Sequence, residues 1–201
     1  MLFLLVLTMS LHSHVVDYSN LSDIEIKNLS DEDIEHIGDS MEVYVNTDHK
    51  KLLEFAEVML KKSAIKGDPT LAGSAYSRIG EMLKNQLNYE GAVRYYAKAY
   101  NQYKLTQESS GLGWLVLRIG NLHYKLKNYD EAIKYWDEAL DIAEQNDFHF
   151  LKSVTNYNYG LVYIAKNDYP KAESYFLKQL GIHSKNLIKD SFSKQDSMRT
   201  V

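Results

Sequence analysis

The residue types best equipped for acid–base or metal chemistry are scattered through this chain. Of its seven histidines, only His12 and His14 stand close enough in sequence to share a metal ion, and they sit beside an apolar N-terminal run. His36, His49, His149 and His183 have no second ligand at metal-binding spacing. The lack of cysteine removes thiolate metal sites, cysteine nucleophiles and disulfides together. Gly111-Leu112-Gly113 has neither a preceding strand pattern nor a phosphate-loop lysine, so it does not predict phosphate binding. Adjacent carboxylates at Asp130 and Glu131 suit the N-terminus of a helix, where the macrodipole favours them, better than general acid–base work. These residues predict no catalytic group, no metal site and no cofactor. The chain reads as a non-enzyme.

Recognition chemistry is better represented. Arg78 and Arg118 stand 40 residues apart, and each guanidinium fork suits a carboxylate, whether a ligand's or an internal salt-bridge partner's. Trp114 follows Gly111 and Gly113 at the start of a helical pattern; it either faces a partner or packs beneath the preceding helix. Tryptophan and arginine are the residue types enriched at binding hot spots. The net charge of −4 supplies no basic field for a phosphate backbone, so this segment is not expected to bind nucleic acid. With 45% hydrophobic residues but only 2 Pro and 10 Gly in 201 residues, the composition fits helices joined by short turns.

Those helices must come in repeated pairs. A constant step of 40 residues joins Gly80, Gly120 and Gly160. The same step joins Asn88, Asn128 and Asp168, then Ala92, Ala132 and Ala172, and then Tyr96, Trp136 and Phe176. A glycine inside a helical pattern costs roughly 1 kcal/mol against alanine, so its recurrence predicts helices too close for a β-carbon. The alanine twelve residues on is the small partner across the hairpin. The aromatic four further on shares its face and fills the space beside it. Asn88, Asn128 and Asp168 are N-cap types, with Asn128 and Glu131 spaced as a capping box, and Pro170 falls harmlessly in a first turn. His123 shares a column with Leu83 and Tyr163, which predicts a core or groove-edge residue.

Glycine, alanine twelve later and an aromatic four beyond resembles the tetratricopeptide repeat (TPR) signature. The resemblance covers about residues 69–185. Its period is longer than that of ordinary units and is similar to lengthened TPRs; HEAT repeats have similar periods but do not predict these offsets. It implies an all-α, right-handed superhelical solenoid of antiparallel helix pairs, with Gly80, Ala92, Tyr96, Gly120, Ala132, Trp136, Gly160, Ala172 and Phe176 as structural positions. It also implies a concave groove lined by first helices. By register, Ser77, Arg78, Glu81, Trp114, Arg118, Asn121, Tyr124, Lys125, Tyr157 and Asn158 would line it. The family's carboxylate clamp for chaperone tails uses Lys and Asn columns that here hold Ser77 and Glu81, or Leu117 and Asn121, so that version is not expected.

Around the three units (69–185), the sequence predicts a divergent first helix pair over 30–68, preceded by a linker (14–29). Ser30 with Asp33 makes a capping-box pattern, and Asp48 is placed to cap the second helix of that pair. Residues 186–201 read as a polar tail or the start of a truncated further unit. Residues 1–13 read as a signal peptide or apolar leader, with MLFLLVLTMSL lacking the usual preceding basic residue. A real leader implies an exported or periplasmic protein; otherwise the chain is cytoplasmic. The function expected is a protein- or peptide-binding scaffold, extending to the sensory segment of a larger bacterial signalling protein. The alternatives are a cytosolic peptide-sensing regulator and the substrate-presenting part of a larger enzyme.

Overall fold

The computed structural model describes residues 18, 21–106 and 108–181, and every regular element among them is an α-helix. In order these are α1 (Asp23–Asn28), α2 (Asp31–Thr47), α3 (His49–Lys66), α4 (Pro69–Asn85), α5 (Tyr89–Tyr103), α6 (Ser109–Lys125), α7 (Tyr129–Gln145) and α8 (His149–Ala165). A ninth, α9, occupies residues 169–181. The leader-like segment 1–13, the polar tail 186–201, His12, His14 and His183 lie outside the described residues.

Local chemistry sets the helix ends. The Asp33 backbone N–H donates to Ser30 Oγ at 3.1 Å while the Ser30 N–H donates to the Asp33 carboxylate at 2.8 Å, satisfying two end donors reciprocally. Asp48, Asn88 and Asp168 accept from the backbone N–H three residues on at 3.0, 3.0 and 3.2 Å. Asn128 differs: its side chain makes no cap bond, and the box with Glu131 does not form. Lys134, one turn on, holds the Glu131 carboxylate at 2.5 Å instead. Within 14–29, expected as a linker, the structure has α1, with Ile26 buried and Ser22 and Glu25 capping it. The buried Lys62 of α3 fastens this helix by donating to the Lys27 and Leu29 carbonyls at 2.8 and 2.9 Å, groups a helix C-terminus leaves open.

Helices pack as hairpins, α2 with α3, α4 with α5 and α6 with α7. First helices also meet laterally, α2 with α4, α4 with α6 and α6 with α8. Among the described residues no such contact joins α3 to α5 or α5 to α7. The tighter layer of first helices therefore forms the inner, concave wall, and the second helices splay outside it. Buried apolar clusters follow one another along the stack, centred on Met41 and Phe55, on Tyr96 and Leu115, and on Trp136 and Tyr159. Each unit completes its core with its neighbours.

The glycine column does its work differently from expectation. Its space is taken chiefly by the aromatic ring of the same hairpin, not by the facing helix backbone. A β-carbon on Gly80 would lie 2.6 Å from Tyr96 ring carbons, and one on Gly160 would run into Phe176. On Gly120 it would meet the Trp136 ring and, at 3.1 Å, the Ala132 carbonyl oxygen. Ala92, Ala132 and Ala172 are buried beside these rings, as are Tyr96 and Trp136, whereas Phe176 is half-buried.

Candidate functional site

The inner wall opens into a cavity of about 390 Å³ whose lining comes from α2, α4, α6, the start of α8 and Tyr103 at the end of α5. Successive turns of α4 supply Ser74, Ser77 and Arg78, and α6 supplies Gly111, Trp114 and Arg118. Glu42 reaches in from α2 and Phe150 from α8. Tyr103 enters through a slot of small residues. β-Carbons on Gly73 and Gly111 would stand 2.9 and 2.5 Å from its ring, so both positions need glycine to seat it. Trp114 and Phe150 form one wall, their ring centroids 5.6 Å apart.

Two guanidinium groups set the electrostatics. Arg78 Nη2 donates to Glu42 Oε2 at 2.9 Å; the Arg78 side chain is 19% exposed and that of Glu42 62%. Burial and then the like charge of Arg118 hold Arg78 below the usual arginine range, with Glu42 opposing them. Arg118 Nε stands 3.8 Å from Glu81 Oε2, beyond a hydrogen bond. Burial raises the Glu81 carboxyl, but Lys84, Tyr96 and Arg118 together outweigh it and hold the group below the ordinary carboxylate value. Burial, with Glu108 adding to it, pushes the Tyr103 hydroxyl up to about 12, so it stays neutral. Paired guanidiniums beside an apolar wall can bind a carboxylate and hold a flat side chain next to it.

Of the residues expected in the groove, the cavity unites Ser77, Arg78, Trp114 and Arg118. Others serve the hairpins. Glu81 accepts from Tyr96 Oη at 2.7 Å and also pairs with Lys84. Asn121 Oδ1 accepts from Trp136 Nε1 at 3.1 Å and from Asn158 Nδ2 at 2.8 Å. The column after each glycine thus matches its aromatic: Glu81 for a phenol, Asn121 for an indole, and Leu161 in the unit whose ring is Phe176, which has no polar atom. Tyr124 packs near Tyr129 and Trp136, Lys125 is exposed at the end of α6, and Tyr157 is exposed with its ring 5.8 Å from Phe176. His123 stacks on Tyr135 on the opposite side of the wall, with a buried Nδ1 that has no partner among the described residues.

Register reasoning from the glycine column misses Glu42, Tyr103 and Phe150. Lateral partners are not one full period apart: Arg78 and Glu42 are separated by 36 residues, Asn158 and Asn121 by 37, and Asn85 and Asn46 by 39. Neighbouring inner helices are staggered by up to a turn, so a 40-residue step overshoots the partner. Gly73, Gly113 and the buried Ser153 form a second small-residue column at the repeat step, but only Gly73 of these seats Tyr103; Gly113 faces Leu151 and Ile142. Among the described residues no group of three His, Asp or Glu side chains is arranged to hold a metal ion, and no helix is long and apolar enough to cross a membrane.

Comparison with known proteins agrees with this architecture. Residues 112–183 match the tetratricopeptide repeat family model. No curated protein matches the chain. Among solved structures, aspartyl phosphate phosphatase F from Bacillus subtilis is similar over 82% of this chain and 44% of its own, with 16% identity and a TM-score of 0.66. BtubC from P. vanneervenii matches over 81% and 69%, at 22% identity and a TM-score of 0.60. MamA matches over 82% and 86%, at 17% identity and a TM-score of 0.54. The chain thus spans under half the length of the Bacillus phosphatase, and at these identities the likeness is one of fold. The fold is that of a TPR solenoid, an architecture that in general serves as a non-catalytic scaffold for protein interaction.

Proposed function

We propose that this tetratricopeptide-repeat chain is a scaffold that binds a protein or peptide partner along the concave wall of its first helices. The observation that carries the reading is the cavity on that wall, where Arg78 and Arg118 stand beside the Trp114–Phe150 aromatic pair. Such a patch joins a charge-directing pair to an apolar anchor, the composition of binding hot spots. A displayed library of random peptides, panned on the wild type and on a Trp114→Ala, Arg118→Ala double variant, tests it. The wild type enriches binding sequences, and the folded double variant loses them by tenfold or more, on the order of one hot-spot contact. Equal enrichment by both proteins sinks the assignment to this wall.

We extend the proposal to a sensory segment of a larger signalling protein acting outside the cytoplasmic membrane, supported by the leader-like run Met1–Leu11. N-terminal sequencing of the protein from its native cells checks this: a mature start near Leu11 or His14 supports export, and a start at Met1 removes it.

A further inference from the structure

We infer that Glu42 is an internal stand-in for a ligand's carboxylate, and that the cavity takes an acidic peptide bearing a glutamate next to an aromatic residue. The inference rests on the peptide-binding reading of the concave wall and specifies its ligand. Three observations converge on it.

Arg78 is largely enclosed, yet its ion-pair partner is the exposed Glu42, joined to it through a single 2.9 Å bond from the neighbouring helix. Among the described residues nothing else holds that carboxylate, and its exposure lets it swing into water at little cost. Arg118 is underused. Its one ion pair among the described residues is the 3.8 Å approach to Glu81, whose oxygens are already bonded to Lys84 and Tyr96. Its guanidinium also acts on Arg78 as a like charge, a repulsion that an anion between them relieves. The third observation is the wall: Phe150 is 71% exposed while resting on Trp114, an aromatic shelf open on its cavity side.

Charge fixes the occupant. With Glu42 in place, Arg78, Lys84 and Arg118 are balanced by Glu42, Glu81 and Glu108, which caps α6 beside the cavity-lining Gly111; when Glu42 leaves, one positive charge is in excess. Glu81 is held in its hairpin and stays, so the anion that enters replaces Glu42. The carboxylate already seated on Arg78 belongs to a glutamate side chain, which makes a side-chain carboxylate the source the geometry accepts. An aromatic residue beside it lies against the Trp114–Phe150 shelf.

Fluorescein-labelled, C-terminally amidated hexapeptides Gly-Ser-Glu-Phe-Ser-Gly and Gly-Ser-Gln-Phe-Ser-Gly test the inference, with the glutamine peptide also made with a free C-terminus. Polarisation is read with the wild type and with Glu42→Ala. The glutamate peptide binds the wild type about tenfold or more tighter than its amidated glutamine counterpart. Glu42→Ala tightens the glutamate peptide by about 2- to 5-fold and leaves the amidated glutamine peptide unchanged, the scale of one exposed ion pair. Unfolding cannot produce such a gain. Unchanged or weaker binding of the glutamate peptide by Glu42→Ala overturns the inference, as does equal binding of the two amidated peptides. Preference for the free-C-terminus glutamine peptide overturns the side-chain source in favour of a terminal carboxylate. If neither amidated peptide binds while the random library still enriches others on the concave wall, this inference fails and the scaffold reading stands. If the library also enriches nothing, the scaffold reading fails with it.

Discussion

The α4–α5 hairpin and the α8–α9 hairpin occupy equivalent places in the repeat but solve the same packing problem with opposite chemistry. In the first, Tyr96 is fully buried against Gly80 and its hydroxyl donates to Glu81, a carboxylate that also holds Lys84 and faces Arg118. In the second, Phe176 is half-buried against Gly160 and has no polar atom to satisfy, and Leu161 stands where the glutamate would be. The hairpin between them is intermediate, with Trp136 bonded to Asn121. The lesson is that the repeat conserves ring volume at one position, while the ring's polar handle selects its neighbour. The charged version occurs beside the cavity, so binding-site electrostatics and hairpin packing share residues there.

The sharpest way to break the comparison is to fill the glycine seat. Gly120→Leu drives a side chain into the fully buried Trp136 ring and the Ala132 carbonyl, and is expected to cost more than about 3 kcal/mol and unfold the hairpin. Gly160→Leu costs less, because the half-buried Phe176 has room to swing away. Hydrogen exchange resolved by helix separates the two, since a repeat array need not unfold as one unit. Equal loss of protection contradicts the contrast.

Removing the polar handle comes next. Tyr96→Phe takes one donor from the Glu81 carboxylate and is expected to cost about 1–3 kcal/mol in chemical denaturation, whereas Phe176→Tyr stays within roughly 0.5 kcal/mol. A neutral Tyr96→Phe shows that Lys84 alone satisfies the glutamate.

The smallest effect is the pH dependence that Glu81 gives the first hairpin. Glu81 is held below its ordinary value of 4.5, so the unfolded chain takes up its proton first as the pH falls. The stability it contributes is complete above that value and is lost as pH drops through the lower folded value. Denaturation followed from about pH 6 to about pH 3 shows a shallower fall for Glu81→Gln than for the wild type. Parallel curves refute the assignment.

Much of this was legible beforehand. The 40-residue step of Gly80, Gly120 and Gly160 with their alanines and aromatics marks the helix pairs, because a helical period and a small-residue seat are local requirements that each unit must meet. The register from the glycine column also put Arg78, Trp114 and Arg118 on the inner wall, where they line one cavity. The roles of Glu81 and Asn121 were not legible. Whether such a side chain faces the groove or turns back to its hairpin depends on the ring opposite, which register alone does not weigh. Nor was the α1 helix, since six residues with one buried isoleucine carry no periodic signal until Lys62 of another helix caps them.

The sequence by itself determined the repeated helix pairs and the absence of room at Gly80, Gly120 and Gly160, since these follow from spacing within 40 residues. Only the tertiary structure decided which side chains share a cavity. The inner helices stack with a stagger of up to a turn, bringing Glu42 to Arg78 and Phe150 to Trp114. That stagger is set by how neighbouring units nest their side chains, a property of two surfaces in contact that no single repeat encodes.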